Sequence, residues 1–97
     1  MTVDNLLLKL KEYDKNLLVC VSISFNRADL VSEVLVRSQN NTIILDRRLY
    51  DKKTLNIRQL VKYLLELPPN FVVTFRVGIQ FRYVESISVW EKYLILY

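Results

Sequence analysis

Ninety-seven residues, 52% of them apolar, with 14 basic side chains, 10 acidic ones and no histidine, are sized for one domain spanning residues 1–97. The lack of histidine removes the commonest general base, the commonest metal ligand and every Ser-His or Cys-His nucleophile pair. One cysteine supplies neither an internal disulfide nor a Cys/His zinc set, and one glycine excludes the Gly-rich loops that cradle phosphates.

The chain is therefore expected to be no enzyme and to hold no metal or cofactor. Its longest uncharged stretch, 16–26, is well short of the roughly 18–20 apolar residues that span a bilayer. The first residues, Met1-Thr2-Val3-Asp4, have neither the cationic region nor the small-residue cleavage site of a signal peptide. A cytoplasmic location away from membranes is the expectation. The skew toward Leu, Ile, Val, Lys, Asn and Tyr is a style found in small orphan proteins of viruses and other mobile elements.

Thr2 reads as the cap of a first helix, with Val3, Leu6, Leu7, Leu10 and Tyr13 at helical spacing and a stop near Asn16. Period two then takes over. Leu17, Val19, Val21, Ile23 and Phe25 share one strand face, and Ser22 and Ser24 take the other. Asn26 to Asp29 reads as a turn, followed by a strand over about 30–38. Gln39-Asn40-Asn41 makes a hairpin turn, and a third strand opens at Thr42 and runs to about Leu49. Thr54 caps a second helix whose apolar face is Ile57, Leu60, Val61, Leu64 and Leu65, and Pro68-Pro69 ends it. Apolar residues at every odd position from Phe71 to Tyr83 predict one long strand, with Gly78 as a bulge or bend. Residues 87–90 and 93–97 form either two short strands or one bulged strand.

The order is α-β-β-β-α-β-β, with one further strand if the last run divides. Short connections predict an α+β fold: one antiparallel sheet of about five to six strands with both helices on one face. No internal repeat divides the chain.

Few residues carry chemistry. Cys20 sits inside an apolar strand, where a thiolate is disfavoured, and reads as a small buried hydrophobe. Asp29 or Glu33 with Asp46 and Arg48 loosely matches the acidic-acidic-basic set of metal-dependent nucleases, without its usual second acid and lysine. Charged positions on a sheet face or in turns account for them better.

Charge is uneven along the chain. Arg47, Arg48, Lys52, Lys53, Arg58 and Lys62 outnumber Asp46 and Asp51, so this segment carries the whole net charge of +4. It is the candidate anion or nucleic-acid contact. In layout, residues 2–67 resemble the α-β-β-β-α order of double-stranded-RNA-binding domains. Lys52-Lys53 is similar to that family's lysine pair, which implies phosphate contact across a groove. The chain departs from the family at Asn26–Asp29, which lacks the Gly-Pro-x-His element, at Asn56 in place of a lysine, and in its Leu-rich second helix.

A second patch comprises Arg37, Arg76 and Arg82, on a strand face from which the aromatics are expected to point away. The last strand is apolar on both sides. Tyr93, Leu94, Leu96 and Tyr97 are accordingly expected at a homodimer contact. The reading that emerges is a small non-catalytic binding or regulatory protein acting through contact with an unidentified protein partner. Nucleic-acid binding through residues 47–62 is the alternative.

Overall fold

The computed structural model describes residues 1–47 and 53–97. Helix α1 (Val3–Leu10) starts where the Thr2 hydroxyl accepts from the Asn5 amide and the Asn5 side-chain oxygen accepts from the Thr2 amide. Such a cap is worth about 1 kcal/mol. Helix α2 (Ile57–Leu65) repeats the device with Asn56 and Gln59, so its cap is Asn56 rather than Thr54. Helices of 8 and 9 residues are too short to persist alone. Burial of Val3, Leu6 and Leu10 and of Ile57, Leu60 and Leu64 holds them in place.

Eight strands are described: β1 (Leu18–Ser24), β2 (Arg27–Leu30), β3 (Glu33–Arg37), β4 (Thr42–Asp46), β5 (Val72–Val77), β6 (Gln80–Tyr83), β7 (Ile87–Trp90) and β8 (Tyr93–Leu96). The fold is α+β, as expected, but the strands form two mixed sheets of four rather than one antiparallel sheet. The first sheet runs β2-β1-β8-β7 and the second β3-β4-β5-β6. In each, the middle pair is parallel, β1 with β8 and β4 with β5. A parallel pair needs a long crossover, and α2 provides it between β4 and β5.

The sheets are stitched at two corners. Val31 donates to Val19 of the first sheet and its neighbour Ser32 to Asp46 of the second, both at 2.9 Å. Val84 donates to Val73 of the second sheet at 3.0 Å and Glu85 to Tyr97 beside the first at 2.9 Å. Each corner is a strand that bends from one sheet into the other, with a fully buried valine at the bend. One continuous core joins Val19, Val21, Leu94 and Leu96 of the first sheet to Ile43, Leu45, Val73 and Phe75 of the second and to both helices.

These matched corners belong to a repeat that hydrophobic periodicity does not reveal. Helix, hairpin, hairpin occurs twice, as α1 with β1–β4 and as α2 with β5–β8. The backbone bonds correspond as well: Val3 N–H to Phe71 O mirrors Ile57 N–H to Leu17 O, and Val73 N–H to Met1 O mirrors Val19 N–H to Leu55 O.

Two local expectations are corrected. Arg27–Leu30 is strand rather than turn, because the β1–β2 reversal is confined to Phe25-Asn26. The run 71–83 is two strands, because Gly78 and Ile79 make a two-residue hairpin turn that pairs Val77 with Gln80. Gly78 has φ 61° and Ile79 is not among the positive-φ residues, the signature of a II′ turn. A Cβ on Gly78 would meet nothing within 4 Å, so only backbone strain opposes one. Gly78→Ala is therefore expected to cost about 1 kcal/mol, lowering Tm by roughly 4–8 °C in thermal unfolding followed by circular dichroism.

Candidate interaction surfaces

Cross-strand partners share a face, so the registers show what each sheet turns outward. On the first sheet, Leu30, Cys20, Ile95 and Ser88 form one outward row, flanked by Ala28 and Ser22 on one side and by Tyr93 and Trp90 on the other. Small side chains make a floor, and Phe25, Trp90 and Tyr97 stand around it in a trough that also takes in Arg27. Trp90 is 61% exposed and stacks on Tyr93, with ring centroids 6.3 Å apart. Apart from Tyr97, which follows β8, the trough is lined by strands and their turns.

The outward face of the second sheet has a different chemistry. Arg76 lies opposite Phe81 and Thr74 opposite Tyr83, so the Gly78 turn brings both rings to the arginine side. The guanidinium carbons of Arg37 and Arg76 lie 4.9 and 5.3 Å from the centre of the Phe81 ring. The expectation that these aromatics point away from the cations is thus corrected. Arg82 does not join them, because it is opposite the core residue Phe75 and belongs to the other face.

Among its described residues, the basic segment is dispersed rather than gathered. The Arg47 guanidinium lies against the Asp29 carboxylate, which Arg27 also approaches at 3.4 Å. Lys53 is exposed in the connection before α2, and Arg48 and Lys52 lie outside the described residues. Arg58 donates to Asn16 Oδ1 at 3.1 Å. It stands with Lys62 on a groove between the two helices, whose lining comprises Asp4, Leu7, Leu8, Lys11, Lys15, Arg58, Val61, Lys62 and Leu65. The sequence reading missed this groove. Its signal was present in Leu7, Leu8, Val61 and Leu65, a second apolar set beside the buried stripe of each helix.

Leu94 and Leu96 are corrected as dimer contacts. Strand β8 lies between β1 and β7, and both leucines are completely buried within the chain's own core. Tyr93 of the same strand and Tyr97 just after it belong to the outward trough.

Asp29 does not join the other two candidate carboxylates. Asp29 is engaged by Arg27 and Arg47 on the first sheet, and Asp46 by Arg76 at 3.7 Å on the second. Glu33 is the cross-strand partner of Asp46. Among the described residues, no group of three or more His, Cys, Asp or Glu side chains is placed to hold a metal ion. No described helix is long and apolar enough to cross a membrane. No family model, curated protein or solved structure matches the chain.

Cys20 is buried, and desolvation pushes its thiol from an ordinary 9.0 up to about 11, with the nearby Asp29 charge acting in the same direction. At pH 8 a disulfide reagent is expected to modify it far faster in denaturant than in the native protein. The unfolded thiol ionises before the folded one, so it contributes stability below about pH 9 that is lost as pH rises toward 11. Denaturant titrations of the protein and of Cys20→Ala at pH 8 and pH 10 measure that component, which the variant should lack.

Proposed function

We propose that the protein is a non-catalytic binding protein that acts through protein–protein contact and works as a homodimer. The aromatic trough on the first sheet is the observation that carries this reading. Trp90, Tyr93 and Tyr97 are the residue types that dominate interface energetics, and their neighbours Ser22, Ala28 and Ser88 leave room for a partner's side chains. The trough runs into strand β7, an edge strand of sequence Ile-Ser-Val-Trp with no charge or proline to block pairing. A second copy meeting this edge and face would extend the sheet and cover the aromatics together. A standard interface takes about 800 Å² per partner, roughly an eighth of the 6388 Å² surface.

Light scattering at micromolar concentration is expected to give about twice the 11.6 kDa chain mass. Trp90→Ser should shift the protein to monomer without lowering Tm by more than a few degrees, since the indole is outside the core. A monomeric parent protein at high concentration would overturn the homodimer.

A second reading, nucleic-acid binding, is favoured by one observation: two arginines and two aromatic rings share the outward face of the second sheet. Interleaved cations and rings suit a single strand, with phosphates on the guanidinium groups and bases on the rings. If this reading holds, log affinity for a single-stranded oligonucleotide falls with log salt by about 0.7 per phosphate contact. Arg37→Ala with Arg76→Ala should flatten that slope by about 1.4. Equal slopes in parent and variant would remove this face from the account.

A further inference from the structure

We infer that the groove between α1 and α2 is a docking site for an acidic amphipathic helix of a partner protein. It lies on other elements than the trough and is independent of the homodimer. Its floor is Leu7 and Val61, half-buried against the core, with Leu8 at 56% and Leu65 at 68% exposed above them. Its rim holds four cations, Lys11, Lys15, Arg58 and Lys62, against one acid, Asp4.

Among the described residues, none of the four cations is paired with a carboxylate. Lys15 Nζ donates to the Leu10 carbonyl at 2.6 Å, and Arg58 donates to the Asn16 side-chain carbonyl at 3.1 Å. Both partners are neutral, so each bond fixes a position and leaves the charge uncompensated. The three ion pairs among the described residues each use a carboxylate on a strand, Asp29 or Asp46, and none involves a helix. Unpaired cations around an apolar floor complement a ligand that is apolar on one face and anionic beside it.

The groove is also polarised along its length. The Arg58 amide donates to the Lys15 carbonyl, so the start of α2 abuts the turn after α1. Lys11, Lys15 and Arg58 therefore share one end, Lys62 stands one turn along α2, and Asp4 holds the far end at the start of α1. Charge spread along the rim matches several carboxylates in a row rather than one head group.

The walls decide the partner's conformation. Both are helices whose backbone groups are bonded internally, so they offer no edge to an extended strand, whose own amides would stay unpaired. A helix brings its backbone bonds with it. At about 1.5 Å per residue the walls are roughly 12–13 Å long, room for two to three turns of a partner with apolar residues at i, i+3 or i+4, and i+7.

Three fluorescent helical peptides with the same leucine stripe, and glutamate, glutamine or lysine on the flanks, test this by anisotropy titration. The glutamate peptide is expected to bind at least tenfold tighter than the glutamine one, and the lysine peptide weakest. Raising salt should erode the difference. Leu65→Ser should weaken the glutamate peptide about tenfold, and Lys15→Glu with Lys62→Glu should reverse the peptide order. Each of these side chains is outside the core, and circular dichroism of each variant checks that the fold is kept. Light scattering should show the same mass for Leu65→Ser as for the parent, and Trp90→Ser should bind the peptide as the parent does. Equal or absent binding of the three peptides would overturn the proposal. So would co-sedimentation with phosphatidylserine vesicles that the glutamate peptide fails to displace, which would make the groove a lipid-surface contact. Loss of dimer mass in Leu65→Ser would make it a contact between copies.

Discussion

Each helix of this protein is anchored by the strand lead-in that follows the other helix. The Val3 amide of α1 bonds to Phe71, just ahead of β5, and the Ile57 amide of α2 bonds to Leu17, just ahead of β1. Bridges from Thr2 to Val72 and from Leu18 to Asn56 complete the exchange. The capping residues thus have two roles, closing their own helix and joining the opposite half. Neither helix is long enough to stand without this clasp, and neither sheet closes without strands from both halves. The parallel pairs β1–β8 and β4–β5, the single core and the groove between the helices all follow from it.

Two halves built to one plan present unlike surfaces. Cys20 and Thr74 occupy matching central positions and are both buried on the outward side of their sheets, and Thr74 satisfies its hydroxyl by donating to Ile43 O at 2.8 Å. One step along, the first sheet has Ser22 where the second has Arg76. At the hairpin tips, Phe25 and Ile79 are both fully exposed. The inward positions had to stay apolar to fill a common core, whereas the outward ones were free to diverge. A trough of small and aromatic residues on one sheet and a cation–aromatic face on the other are the outcome.

Most single elements were legible because local rules governed them. The Thr2 cap and the alternation through β1 correspond to what is observed, and Asn41 takes the left-handed conformation expected of the Asn-rich turn, at φ 52°. What was illegible is non-local. The alternation from Phe71 to Tyr83 continues unbroken through a two-residue turn, so nothing in its period marks the point where inward becomes outward. Only the register, Arg76 against Phe81, shows that the rings changed sides. Leu94 and Leu96 looked like an uncovered face because their cover is supplied by residues distant in sequence. The repeat was hidden because many matched positions carry different residues, as Thr2 and Asn56 do while performing the same bond.

The pairing of β1 with β8 has a consequence for biosynthesis. Strand β1 emerges from the ribosome well before the partner that covers its parallel edge, which comprises residues 93–96. Until those residues are out, Val19 and Val21 lack Leu94 and Leu96 above the core, and the edge of β1 is open to any other nascent strand. At roughly 5–20 residues per second, translation leaves that edge unpaired for several seconds. Chaperone demand should therefore be concentrated in the interval before β8 is made, and overexpression should fail first by aggregation of chains that lack it.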